Sequence, residues 1–164
     1  MKKITTTLLA FIVLSAVFIS CKKDDDSAYQ PKGTYGNSTI KSGTFYTYWT
    51  LSAPSYYADI NDADITQAIF DNGSVEVYAD NGSGGWIALP YTIPMSSSYS
   101  STFAVIHYVG MVRLVKTDTD MTQATDPGLS TIKIVCIGYA ARMANPNLDY
   151  SNYNQVKAAF HLKD

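Results

Sequence analysis

Cysteine, histidine and glutamate are scarce: 164 residues contain two, two and one of them. Cys21 and Cys136 cannot build the several crosslinks that staple small exported domains, so a core must come from apolar packing. His107 and His161 lack metal-ligand spacing, and no serine sits in a G-x-S-x-G elbow. Nothing in the sequence calls for a metal or an organic cofactor. Charge is scarce as well: Asp, Glu, Lys and Arg make up 16% of the chain, with a formal balance of −2. Scattered lysines in a weakly acidic chain form no basic patch for phosphate backbones, which excludes nucleic acid as a partner. An apolar run long enough to cross a membrane is missing too. Leu8 to Ile19 is broken by Ser15, whereas a helix rising about 1.5 Å per residue needs roughly 20 apolar residues to span hydrocarbon.

What that short run does have is the setting of a secretory signal. Met1-Lys2-Lys3 gives a positive start, a polar Thr5-Thr6-Thr7 bridge follows, and Lys22, Lys23, Asp24, Asp25 and Asp26 end the apolar stretch abruptly. Cys21 stands directly after Phe18-Ile19-Ser20, an apolar pair and a small residue. This resembles the lipobox of bacterial lipoproteins, with Phe18 where the pattern usually has Leu. The resemblance implies cleavage after Ser20 and a diacylglycerol thioether on Cys21. The block Lys22 to Asp26 resembles the lysine-then-acidic export signal of surface lipoproteins in Bacteroidota-type bacteria. Asp26-Ser27-Ala28 resembles the O-glycosylation motif of the same bacteria, with Ser27 as acceptor. The expectation is therefore a signal peptide over 1–20, a lipidated cysteine and flexible tether over 21–43, and one domain over 44–164. Its partner is a membrane held through the N-terminal lipid, and its place is the outer membrane, facing the cell exterior.

The third thing present in quantity is aromatic. Tyrosine, tryptophan and phenylalanine make up 13% of the chain, thirteen of them tyrosine. Thr44 to Leu51 (TFYTYWTL) alternates with period two and carries β-favouring side chains on both faces. Val75–Ala79 and Trp86–Leu89 flank Asp80-Asn81-Gly82-Ser83-Gly84-Gly85, residues that tolerate positive φ, and predict a hairpin. Thr102–Val109 and Val112–Lys116 predict a second hairpin about Gly110. Thr131 to Tyr139 (TIKIVCIGY) becomes apolar throughout, as a central strand does, with Ile132, Ile134 and Cys136 on one face. Two helices interrupt the strands. Asp64-Ile65-Thr66-Gln67 has capping-box spacing, and Asn72-Gly73 predicts a left-handed stop. A C-terminal helix from about Asn152 to Leu162 carries a Tyr153, Val156, Phe160 stripe, with Asp149 or Ser151 as its cap. The fold class is mainly β, a β-sandwich-like pair of antiparallel sheets with one short internal helix and one C-terminal helix.

Two stretches carry a further resemblance. ADITQAIFDNGSVEVYADNGSGGWIALPY (residues 63–91) and NPNLDYSNYNQVKAAFHLKD (residues 145–164) resemble segments of small Bacteroidota surface lipoproteins and of domains that follow collagen-like repeats there. The resemblance implies a secreted β-rich domain and transfers no catalytic or binding residue.

The residues offer little for catalysis. His107 reads as a structural histidine in a strand, and Cys136 as a small buried hydrophobe. Asp59, Asp62 and Asp64 are the best metal candidates, but they lack the glycine and distal glutamate of an EF-hand, and helix capping explains Asp64. The expectation is that no metal is bound and no catalytic residue exists. Exposed aromatics stack on sugars and anchor interfaces, which singles out Tyr46, Tyr48, Tyr56, Tyr57 and Trp86 as candidate ligand-stacking residues. The function expected is a non-catalytic surface lipoprotein whose domain serves adhesion or interaction with a protein or glycan. The alternative is a carbohydrate-binding module, distinguished by contiguous aromatics on one sheet face. A hydrolase with a hidden aspartate pair stands behind both.

Overall fold

The computed structural model describes residues 40–128 and 130–163. In chain order they form β1 (Ile40–Thr47), β2 (Thr50–Ser52), β3 (Ser55–Asn61), α1 (Gln67–Asn72), β4 (Ser74–Asp80) and β5 (Trp86–Ala88). There follow β6 (Tyr91–Pro94), β7 (Ser100–Tyr108), β8 (Met111–Asp118), β9 (Ser130–Ile137), α2 (Tyr139–Ala144) and α3 (Tyr153–Phe160). The strands make two antiparallel sheets, ordered β1-β9-β4-β5 and β2-β3-β8-β7-β6. The mainly β architecture expected from the turn-punctuated sequence is present.

The two sheets pack face to face because one side chain in two along each inner strand is apolar. Ala58 and Ile60 of β3, Val112 and Leu114 of β8, Val77 of β4 and Ile132, Ile134 and Cys136 of β9 share one core. Ile65 and Ile69 close that core at one end from the α1 segment. β9 is buried on both faces. Its other side, Val135 and Ile137, packs with Tyr78 against Ala141 of α2 and Tyr153 and Val156 of α3. That second layer is why TIKIVCIGY loses its alternation. The helices cover the β1-β9-β4-β5 sheet and leave the outer face of the five-stranded sheet without a covering element among the described residues.

Both expected hairpins form. β4 and β5 pair from Tyr78↔Ala88 to Asp80↔Trp86, and the connecting loop is held by Asn81 Oδ1, which accepts from the Ser83 and Gly85 amides at 2.9 Å each. β7 and β8 pair down to Tyr108↔Met111, and the turn uses Gly110 at φ 78°, a value that suits glycine.

Several expectations need correction. The strand over 44–51 begins earlier and breaks. Ile40 to Gly43, expected in the tether, pair with Ile137 to Ile134, because the apolar length of β9 takes a neighbour along all of it. At Tyr48-Trp49 the chain then changes sheets. This sends Trp49 into the core, where its indole N–H donates to Ser130 Oγ at 2.8 Å and its ring meets Phe103 edge-on. Helix α1 is capped by Thr66, whose hydroxyl accepts from the Ile69 amide at 3.3 Å, while Gln67 donates to Asp71 and not back to Asp64. Its stop at Gly73 is extended, at φ −89°; glycine is needed there because a Cβ would lie 2.4 Å from the Ile137 carbonyl. Finally, α3 is capped by Asn152, since Asp149 is engaged with the Ser151 amide and hydroxyl. A third helix, α2, was not expected: Gly138 ends β9 and caps it.

Candidate functional site

Cys21, Lys22, Lys23, Asp24, Asp25, Asp26 and Ser27 lie outside the described residues. The five candidate stacking aromatics lie inside and are scattered. Tyr56 points inward from β3 and packs on the core between the sheets. Tyr57, its neighbour, points outward, and the Arg113 guanidinium lies 4.8 Å from the centre of its ring. Trp86 is on β5 of the other sheet, tilted against Tyr153 at 5.7 Å, with the Lys133 ammonium 4.5 Å from its ring. Tyr46 and Tyr48, each 72% exposed, lie at the far end of β1 and just beyond it. The five share no sheet face, so they make no continuous stacking row.

The acids considered as ligands or catalysts are equally dispersed, and Asp59, Asp62, Asp64 and Asp118 are each engaged by a partner. Asp59 receives Arg113 Nε at 2.6 Å and Nη2 at 2.7 Å, and this hydrogen bonding holds its carboxyl below the usual range. Asp62 accepts from the Asp64 amide at 3.0 Å, and Asp64 pairs with Lys41 at 3.3 Å. The three do not converge, and among the described residues no three His, Cys, Asp or Glu side chains are placed to hold a metal ion. Asp118 is buried with Ser101 Oγ at 2.5 Å and Lys116 at 3.8 Å, and Lys116 donates to the Thr125 carbonyl at 2.7 Å. This cluster ties the loop after β8 to the sheet. A shallow hollow beside Trp86, edged by Asp149, Ser151, Asn152 and Asn154, owes much of its polarity to the turn and cap bonds already described.

Cys136 is 1% exposed. Burial, helped by the Asp62 and Asp64 charges and opposed by Lys41, pushes its thiol from an ordinary 9.0 up to about 12. A thiol held protonated is a poor nucleophile. Ellman-type reagents should leave Cys136 untouched in the native state at pH 8 and modify it on unfolding; fast native reaction would contradict its burial. The linkage has a definite sign. Between pH 9 and about 12 the unfolded thiol ionises while the folded one keeps its proton, so stability falls as pH rises through that window. Tyr78 acts in the same direction at higher pH, its hydroxyl raised chiefly by burial. His107 is shifted the other way: burial lowers its imidazole, with Glu76 and the Val75 main chain opposing.

What remains is a surface. Tyr57, Asp59, Ile106, Tyr108, Met111, Arg113 and Val115 alternate outward from β3, β7 and β8 in adjoining rows, for example Ile106↔Arg113↔Asp59. Ile106, Tyr108 and the turn residue Val109 are 44%, 41% and 48% exposed. An open sheet face with several large apolar groups around a stacked Arg–Tyr pair has the composition of contact surfaces. Of these residues only Tyr57 and Asp59 were singled out from the sequence, the first for stacking and the second as a metal candidate. The signal for Ile106 and Tyr108 was the stretch TFAVIHY, which is apolar at both parities although only one parity can enter the core.

Comparison with protein-family models, with curated proteins and with solved structures finds no match.

Proposed function

We propose that the chain is a non-catalytic lipoprotein of the bacterial cell envelope, anchored in the outer membrane through lipid on Cys21. The β domain faces the cell exterior and serves adhesion or interaction with a protein or glycan. The anchor rests on residues 1–26, where an apolar run too short to span hydrocarbon ends at a small residue and a cysteine. Each buried methylene contributes about 0.8 kcal/mol, so one acyl chain binds a membrane reversibly and two or three on one cysteine hold it durably.

The observation that carries the interaction role is the asymmetry of the two sheets. Helices seal the four-stranded sheet, whereas the five-stranded sheet leaves Ile106, Tyr108 and the Tyr57–Arg113 pair open. The carbohydrate-binding alternative called for aromatics gathered on one face, and the scattering of Tyr46, Tyr48, Tyr56, Tyr57 and Trp86 favours the broader interaction role.

Substitution of Cys21 by Ala tests the anchor. Cells fed a labelled fatty acid should label the native protein and not the variant, and the variant should keep residues 1–20 uncleaved. Equal labelling of the two would remove the basis for the proposal.

A further inference from the structure

A sheet edge is a row of unpaired N–H and C=O groups, and proteins blunt it by shortness, proline, bulges or lysine. Three of the four edges here follow that rule: β2 and β5 have three residues each, and β6 has four and ends in Pro94. The fourth does not. β1 runs for eight residues, IKSGTFYT, with no proline. It pairs with β9 in unbroken register from Ile40↔Ile137 to Thr47↔Ser130, so no bulge twists it away. Its outer edge has no strand against it among the described residues. Its one charged side chain, Lys41, is drawn into an ion pair with Asp64.

We propose that β1 pairs with β1 of a second copy of this chain, antiparallel about a two-fold axis, joining the two four-stranded sheets into one. Matching faces requires residues of equal parity to oppose each other. A register centred on Gly43 satisfies this with no like charges opposed. Ser42 then faces Thr44 of the other copy, Lys41 faces Phe45, and Ile40 faces Tyr46. The middle of the contact holds only glycine and small hydroxyls, which lets the backbones approach. Tyr46, 72% exposed in the single chain, gains an apolar neighbour. A closed two-fold contact of this kind also leaves no further edge of β1 for growth into fibres. Self-association through β1 is independent of the anchor and of the open face of the five-stranded sheet.

One strand pair is a small interface, so the dimer should be concentration-dependent. Sedimentation velocity of the full chain in density-matched detergent, over a concentration series, tests it against the double variant Ser42→Lys, Thr44→Lys. Both positions are exposed, and the substitutions bring four ammonium groups together about the axis. The native chain should pass from monomer to dimer as concentration rises. The variant should stay monomeric over the same range with an unchanged melting temperature. Amide hydrogen exchange on the native chain provides a second readout that needs no variant: amides within 40–47 should exchange more slowly as concentration rises. A native chain monomeric throughout, a dimer that survives the lysines, or a dimer with no change in β1 exchange would each overturn the proposal.

Discussion

Replacing Ile134 by Ala should lower the free energy of unfolding by about 2–5 kcal/mol, the cost of lost transfer energy plus the cavity left behind. Ile134 is fully buried on β9, the strand flanked by β1 on one side and β4 on the other. Its side chain meets the apolar faces of both sheets, and neighbours fixed by two hydrogen-bonded ladders have little freedom to collapse into the space. A typical domain has only about 5–15 kcal/mol of stability, so this single change removes a large fraction of it. Ile134→Val, one methylene smaller, should cost about 0.5–1.5 kcal/mol. Urea unfolding of the two variants provides the check. A loss below about 1 kcal/mol for the alanine variant would mean that the sheets are not packed against each other at this point.

The second large effect lies on the other face of β9, at Tyr153. This residue is 4% exposed and, with Val156, seats α3 on the sheet. Its ring meets Tyr78 edge-on at 5.1 Å and Trp86 at 5.7 Å, and its hydroxyl accepts from Lys133 Nζ at 2.8 Å. The Lys133 ammonium, itself 3% exposed, lies 4.5 Å and 4.6 Å from the Trp86 and Tyr153 ring centres. A cation so buried needs acceptors and aromatic faces to replace water. Tyr153→Ala removes the ring, one aromatic face and one acceptor together and should cost about 3–5 kcal/mol. Tyr153→Phe keeps the ring and removes only the acceptor, which should cost about 1.5–3 kcal/mol, the range for hydrogen bonds to charged groups. Hydrogen exchange separates global from local loss. In the alanine variant the α3 amides should lose protection first, while those of β8 keep theirs at low denaturant.

The elements legible in the sequence were those whose pattern depends on neighbours in the chain. The Asp80–Gly85 and Gly110 turns carry their own conformational preferences, and the Tyr153, Val156, Phe160 stripe needs only helical spacing. The illegible features depend on neighbours brought by the fold. Ile40 to Gly43 read as a tether because their composition is that of a linker; they become a strand only because β9 lies beside them. The unbroken alternation of Phe45, Thr47, Trp49 and Leu51 hid the point where the chain crosses from one sheet to the other. Likewise Asp64 and Gln67 have capping-box spacing, yet Lys41 and Asp71 claim them while Thr66 does the capping. β3 was not recognised as a strand, although Tyr56, Ala58 and Ile60 alternate inward against Tyr57, Asp59 and Asn61. Asp59 in that run read as a candidate metal ligand, whereas the fold places Arg113 opposite it. The candidate surface was harder to read, since period-two patterns mark which side chains share a face but not which face a helix will cover.

The proposed anchoring of this domain to a membrane through Cys21 is tested most directly by the intact mass of the protein purified from its own cell envelope. The predicted result is a chain that begins at Cys21 and is heavier than its amino acids by a diacylglycerol and any further acyl group. A chain that still begins at Met1, or one that begins at Cys21 with no added lipid mass, would contradict it.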